Sequence, residues 1–144
     1  MLKTRLLHPD LLAVLATSGH FSQVLIADGN FPVAGNRGPN ARIVHLNLAP
    51  GILDALTVLD ALLETIPVQA ATVMQPPADF LPPIHELYRQ KLGAEVAWAQ
   101  MERWAFYEKI ASPRTTLMIA TAEQRRFANL LLEVGVVKLP AENF

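Results

Sequence analysis

Short apolar runs of two different periods alternate along this chain, and glycine or proline closes most of them. Leu11, Leu12, Val14 and Leu15 recur at helical spacing after Pro9, and the pattern stops at Gly19. Proline suits that first turn because the donor it lacks would go unpaired there anyway. Gln23 to Ala27 follows as a short β-rich run that reads as a buried strand. Residues 28–41, with Gly29, Pro32, Gly35, Gly38 and Pro39, read as a long loop, and long loops after strands carry function more often than not. The alternation then continues. Strands are expected at 42–46, 68–74, 95–100, 115–121 and 130–134, and helices at 50–64 (opened by Pro50), 84–92 and 103–110. Such alternation argues for a layered α/β domain, although the same succession also permits α+β, so the order of strands stays open. At 144 residues the chain is expected to form one domain, 1–144.

Charge narrows the function classes. Twelve Lys and Arg against 13 Asp and Glu give a net charge of −1, with no electrostatic case for nucleic acid or an anionic membrane. Hydrophobic residues make up 51% of the chain and mean hydropathy is +0.26, which hints at apolar surface buried against copies of itself. The absence of cysteine excludes disulfides and thiolate metal sites and is compatible with the cytosol. No sustained apolar stretch precedes Pro9, and no run approaches the roughly 18–20 residues of a membrane span. A soluble, cytoplasmic protein is expected.

Two glycine corners hold the most reactive side chains. His20 ends Ser18-Gly19-His20, and Asp28 opens Asp28-Gly29-Asn30-Phe31-Pro32. An imidazole exchanges protons near neutral pH, and a carboxylate grips hydroxyls. Set at the two ends of one strand, they are expected to line a single polar pocket suited to acid–base chemistry on a polyhydroxylated ligand. Each also has a plainer reading. His20 can cap helix carbonyls, Asp28 can bind its own turn, and Asn30 and Asn129 can cap turns. Arg103 can pair with a neighbouring carboxylate. His45 reads as structural, and His8 and His85 as surface residues. The four histidines lack zinc-site spacing, so no metal is expected, and no GxGxxG, Walker or GxSxG motif is present.

Taken together, these segments resemble the D-ribose pyranase / L-fucose mutarotase family over nearly the whole chain. The resemblance runs from Leu11-Leu12 through Gly19-His20 and from Ala27 to Pro32. It takes in Arg103-Trp104-Ala105-Phe106-Tyr107-Glu108-Lys109, which looks closer to the fucose branch, and ends with Phe127-Ala128-Asn129-Leu130-Leu131-Leu132 and Gly135-Val136. It implies a three-layer α/β/α single domain with a mixed central sheet. It also implies a ring-shaped homo-oligomer, typically a decamer, with sites at subunit contacts.

The implied chemistry is cofactor-independent interconversion of the anomers of a free monosaccharide, L-fucose or a similar pyranose. His20 would be the general acid, with Asp28, Arg103, Asn129, Phe127 and Tyr107 in the sugar site. Two departures stand out. Phe127 replaces the usual tyrosine of the family's Tyr-x-Asn element, which removes a phenol that could bond or relay a proton. His45-Leu46-Asn47 replaces the arginine and aspartate of the fucose enzymes. A sugar-binding or regulatory homologue with weak or no catalysis is therefore the alternative reading, and a purely structural assembly role the third.

Overall fold

The computed structural model describes residues 1–141. Its strands are β1 (Gln23–Ala27), β2 (Arg42–His45), β3 (Val68–Met74), β4 (Ala97–Met101), β5 (Thr115–Ala120) and β6 (Leu130–Val134). Its helices are α1 (Pro9–Thr17), α2 (Ala55–Leu63), α3 (Pro83–Leu92) and α4 (Arg103–Ile110). The strands form one mixed sheet in the order β2-β5-β1-β6-β3-β4. Five run in the same direction, and β6 lies antiparallel between β1 and β3.

β1 is buried along its whole length, so alternate side chains feed opposite faces of the sheet. Val24 and Ile26 join the larger core with Leu11 and Leu15 of α1, Val58, Leu59 and Leu62 of α2, and Ile84 and Tyr88 of α3. Leu25 and Ala27 join the smaller core with Met118, Leu131 and the α4 residues Phe106 and Ile110. Helices therefore cover both faces in three layers, as the resemblance implied.

Local chemistry sets the helix ends. His8 is not a free surface histidine. Its Nδ1 accepts the N–H groups of Asp10 and Leu11 at 3.2 and 3.4 Å and caps α1. Helix α2 does not begin at Pro50. The N–H of Gly51 goes to Ala122, and the Leu53 carbonyl takes the N–H of Ala122, so this segment is tied to the loop after β5. Asp54 then opens the helix by accepting the Thr57 N–H at 2.8 Å. Strand β4 begins at Ala97, two residues later than expected. Gly29 allows a close approach here, because a Cβ would lie a tight 3.1 Å from the Glu123 carbonyl, which accepts the Gly29 N–H at 2.8 Å.

This topology decides where function can sit. The carboxyl ends of β1, β3, β4 and β5 and the start of β6 share one edge of the sheet. Ligands of such sheets bind outside that edge, where the strand order switches.

Candidate active site

Asp28 leaves the end of β1, Asn129 precedes β6, and Arg103 opens α4 just after β4. All three line one cavity of about 300 Å³, together with Tyr107, Phe127, Phe31, Asn30, Met74 and Arg126. That is the small end of ligand pockets, which run roughly 300–1,000 Å³. A cleft of about 510 Å³ lies beside it and shares Asn30. The buried acid of that cleft, Glu123, is already committed to Arg125 through contacts of 2.7 and 2.8 Å.

Asp28 is buried, and one carboxylate oxygen accepts the Asn30 N–H at 2.9 Å, so it forms the turn expected of an aspartate before glycine. Burial pushes its carboxyl above the usual value, while N–H groups of Asn30, Phe31 and Ala128 pull it back and the nearby Glu123 charge adds a small upward push. Asn129 is also buried, and its Oδ1 accepts the Asp28 N–H at 2.8 Å. That bond orients the carboxamide and leaves its NH₂ as a donor.

Arg103 makes no ion pair among the described residues. The carboxylate beside it, Glu102, instead accepts the N–H groups of Trp104 and Ala105 at 2.9 and 3.2 Å as the cap of α4. The arginine is thus left with its five donors at the cavity. Tyr107 stands edge-on to Phe31 with ring centroids 5.2 Å apart.

Phe127 is held in an unusual shape. Its φ is +59°, the left-handed region that a bulky side chain rarely enters. Its ring lies 5.7 Å from that of Phe80, over which Arg126 is stacked at 4.6 Å. Helix α3 grips the backbone from below. Tyr88 donates its hydroxyl to the Ala128 carbonyl at 2.6 Å, and His85 Nε2 lies 2.7 Å from the Phe127 carbonyl. A carbonyl only accepts, so His85 carries its proton on Nε2.

His85 was expected at the surface, and it is 5% exposed. Its ring packs edge-on against Trp98 at 5.8 Å, and Nδ1 is buried without a partner. Sequence gave no sign of this, because Ile84, His85 and Tyr88 reach the core only once α3 lies on the sheet. Arg126 and Phe31 were likewise not singled out as pocket residues, although both adjoin residues that were.

His20 does not share the cavity. The expectation that it faces Asp28 within one pocket fails for a single chain, because β1 runs between them and separates its own ends by roughly 13 Å. His20 instead lies at the opposite edge of the sheet, in a groove of about 790 Å³ with Gln69, Glu64, Glu95, Val136 and Lys138. It is exposed, stacked on Phe21 with centroids 3.8 Å apart, and its Nε2 is 2.9 Å from Gln69 Oε1. His45 is exposed at the end of β2 and outside both cavities.

One carboxylate, two guanidiniums, two carboxamides and one phenol therefore line a small hollow with aromatic walls. The set can accept and donate hydrogen bonds around a ring bearing several hydroxyls while apolar faces meet its C–H groups.

Known proteins match this architecture. Residues 1–137 match the RbsD / FucU transport protein family. A D-ribose pyranase of Pseudomonas syringae pv. tomato is 32% identical over 139 residues, covering 95% of this chain and 99% of its own. A fucose mutarotase of Danio rerio is 32% identical over 140 residues, covering 91% and 90%. The crystal structure of a fucose mutarotase from Streptococcus pneumoniae in complex with L-fucose superposes with a TM-score of 0.78 at 26% identity, covering 91% of this chain and 94% of that one.

Proposed function

This chain belongs to the RbsD / FucU transport protein family, and from that premise we propose that it is a mutarotase interconverting the anomers of a free pyranose, L-fucose or a close relative. The observation that carries this reading is the convergence of Asp28, Arg103, Tyr107 and Asn129 on one small cavity at the carboxyl edge.

Mutarotation needs only proton transfers around a held sugar. A base takes the proton of the anomeric hydroxyl while an acid protonates the ring oxygen. The C1–O5 bond then breaks and leaves an aldehyde and a hydroxyl. Rotation about C1–C2 and reversal of the steps closes the ring on the other face. Nothing is oxidised and no group is transferred, so the chemistry asks for no cofactor.

Asp28 and Asn129 bind hydroxyls in this scheme, Arg103 donates to a further oxygen, and Tyr107 supplies a phenol. Phe127 and Phe31 meet the apolar edge of the ring. His20 is the general acid, and it comes from a second copy of the chain. Its distance from its own Asp28 supports this, as do the exposed Phe21, Leu48, Ile52, Trp104 and Val137, apolar surface that a ring of copies would cover. A decameric ring and a cytoplasmic setting belong to the same proposal. Among the described residues no helix is long and apolar enough to cross a membrane.

Phe127 favours one second reading, a homologue that binds sugar but catalyses weakly, because its side chain brings only an apolar face to the cavity. Saturation-transfer NMR between α- and β-L-fucose separates the two. Faster exchange on adding protein, abolished in His20→Ala, supports the mutarotase. Binding by calorimetry with unchanged exchange supports the second reading, and no binding at all rejects both.

A further inference from the structure

The carboxamide of Gln69 lies between the proposed acid and a second acidic side chain. Its Nε2 donates to Glu133 Oε1 at 2.6 Å, and its Oε1 stands 2.9 Å from His20 Nε2. A carboxylate only accepts, so the NH₂ of Gln69 must face Glu133 and its oxygen must face His20. That oxygen in turn only accepts, so the imidazole carries a proton on Nε2. Nδ1 is left as the atom free to meet a ligand.

Two backbone features seat Gln69 there. The β3–β6 ladder slips register between Val68 and Ala70, which pair with Val134 and Glu133, so Gln69 is the extra residue of a bulge. Bulges re-aim a side chain in this way, and they collect beside active sites. Gly135 completes the seat. A Cβ at that position would stand 3.2 Å from the Gln69 Cβ, tighter than ordinary contact.

The geometry points to Gln69 and Glu133 as positioning residues for the reaction, a relay that fixes the ring of His20 so that Nδ1 faces the sugar held by the adjoining copy. It rests on His20 being the acid proposed above. A neutral amide in the middle of the relay holds the ring without bringing a carboxylate against it. The other charged groups facing the groove are Glu64, Glu95 and Lys138, while Arg114 lies over the Phe21 ring on which His20 is stacked.

The test compares Gln69→Leu, Gln69→Glu and Glu133→Gln with the natural protein by anomer-exchange NMR from pH 5 to 9, after thermal melts confirm folding. Gln69→Leu is expected to lower kcat about tenfold with KM within about twofold, since a ring free to turn loses alignment rather than sugar affinity. Gln69→Glu keeps the acceptor toward His20 but loses the donor to Glu133, so it should retain more of kcat than Gln69→Leu. It should also move the alkaline limb of the pH profile up by roughly one unit, because an opposite charge favours the protonated ring. Glu133→Gln frees the amide to flip and should lower kcat several-fold.

An imidazole Nε2–H resonance protected from solvent, present in the natural protein and lost in Gln69→Leu, would support the relay without reference to activity. Unchanged kcat and pH profile in all three variants, with the natural protein active, would overturn the relay alone. An inactive natural protein would instead overturn the mutarotase reading from which the relay follows.

Discussion

Asp28 donates its backbone N–H to Asn129 Oδ1 at 2.8 Å across 101 positions of sequence, so the turn after β1 and the approach to β6 are locked to one another at the sheet edge. The bond spans neighbouring antiparallel strands and fixes the two side chains proposed to hold the sugar in one arrangement.

Asn129→Ala should therefore weaken both folding and binding. It leaves a buried N–H unpaired, at a cost of about 1–3 kcal/mol, and removes the NH₂ donor from the cavity. A fall in melting temperature together with a KM for anomer exchange raised at least tenfold is the expected outcome. A raised KM with no loss of stability would mean that the Asp28 N–H finds another partner.

If one site is built from two copies, two inactive variants should complement each other. His20→Ala and Asp28→Asn, each without exchange activity alone, are expected to regain about a quarter of the natural activity when unfolded and reassembled as an equal mixture. Mixtures that stay inactive while mass measurement shows mixed assemblies would place His20 outside the site.

His85 should make stability fall on acidification. Burial lowers the affinity of its ring for a proton, and the hydrogen bond to the Phe127 carbonyl only partly restores it. The unfolded chain then takes up the proton first, near the ordinary value of about 6.5. The folded state is at its full relative stability above that pH, loses ground as pH falls through it, and levels off once the folded ring is protonated too. Denaturant melts from pH 7.5 to 5 would show this slope, and His85→Gln, which keeps an N–H but does not titrate, should flatten it.

Glu123 acts at lower pH. Burial alone would raise its carboxyl, but the Arg125 side chain and the N–H groups of Arg125 and Ala55 outweigh that and hold it at about 2. An acid whose folded value is depressed contributes stability above its unfolded value, near 4.5, and loses it as pH falls toward 2. Glu123→Gln should cost about 1–3 kcal/mol at pH 7, since it removes the charge through which the buried Glu123 holds the partly exposed Arg125. In acid melts the loss should shrink between pH 5 and 2, and a loss independent of pH would contradict the role given to this charge.

Much of the fold was legible along the chain because it depends on neighbours in sequence. The β-rich run at Gln23–Ala27 reads as a short buried strand and forms one, and the helix expected at 84–92 forms as α3 between the Pro82-Pro83 pair and Gly93. Helix α2 starts later than Pro50, because proline merely permits a first turn there. The long-range bonds of Gly51 and Leu53 to the Ala122 backbone delay the helix until Asp54 can cap it.

From the sequence alone came the element types, the family likeness and the residues Asp28, Arg103, Tyr107, Phe127 and Asn129 that meet in one cavity. Periodicity and turn chemistry are written in adjacent residues. Only the tertiary structure could set β6 antiparallel between β1 and β3, bury His85 beneath Phe127, and send His20 to the far edge beside Gln69. The physical reason is that a strand's two ends face opposite edges of its sheet. Residues eight apart in sequence thus parted company, while residues 101 apart came within a hydrogen bond.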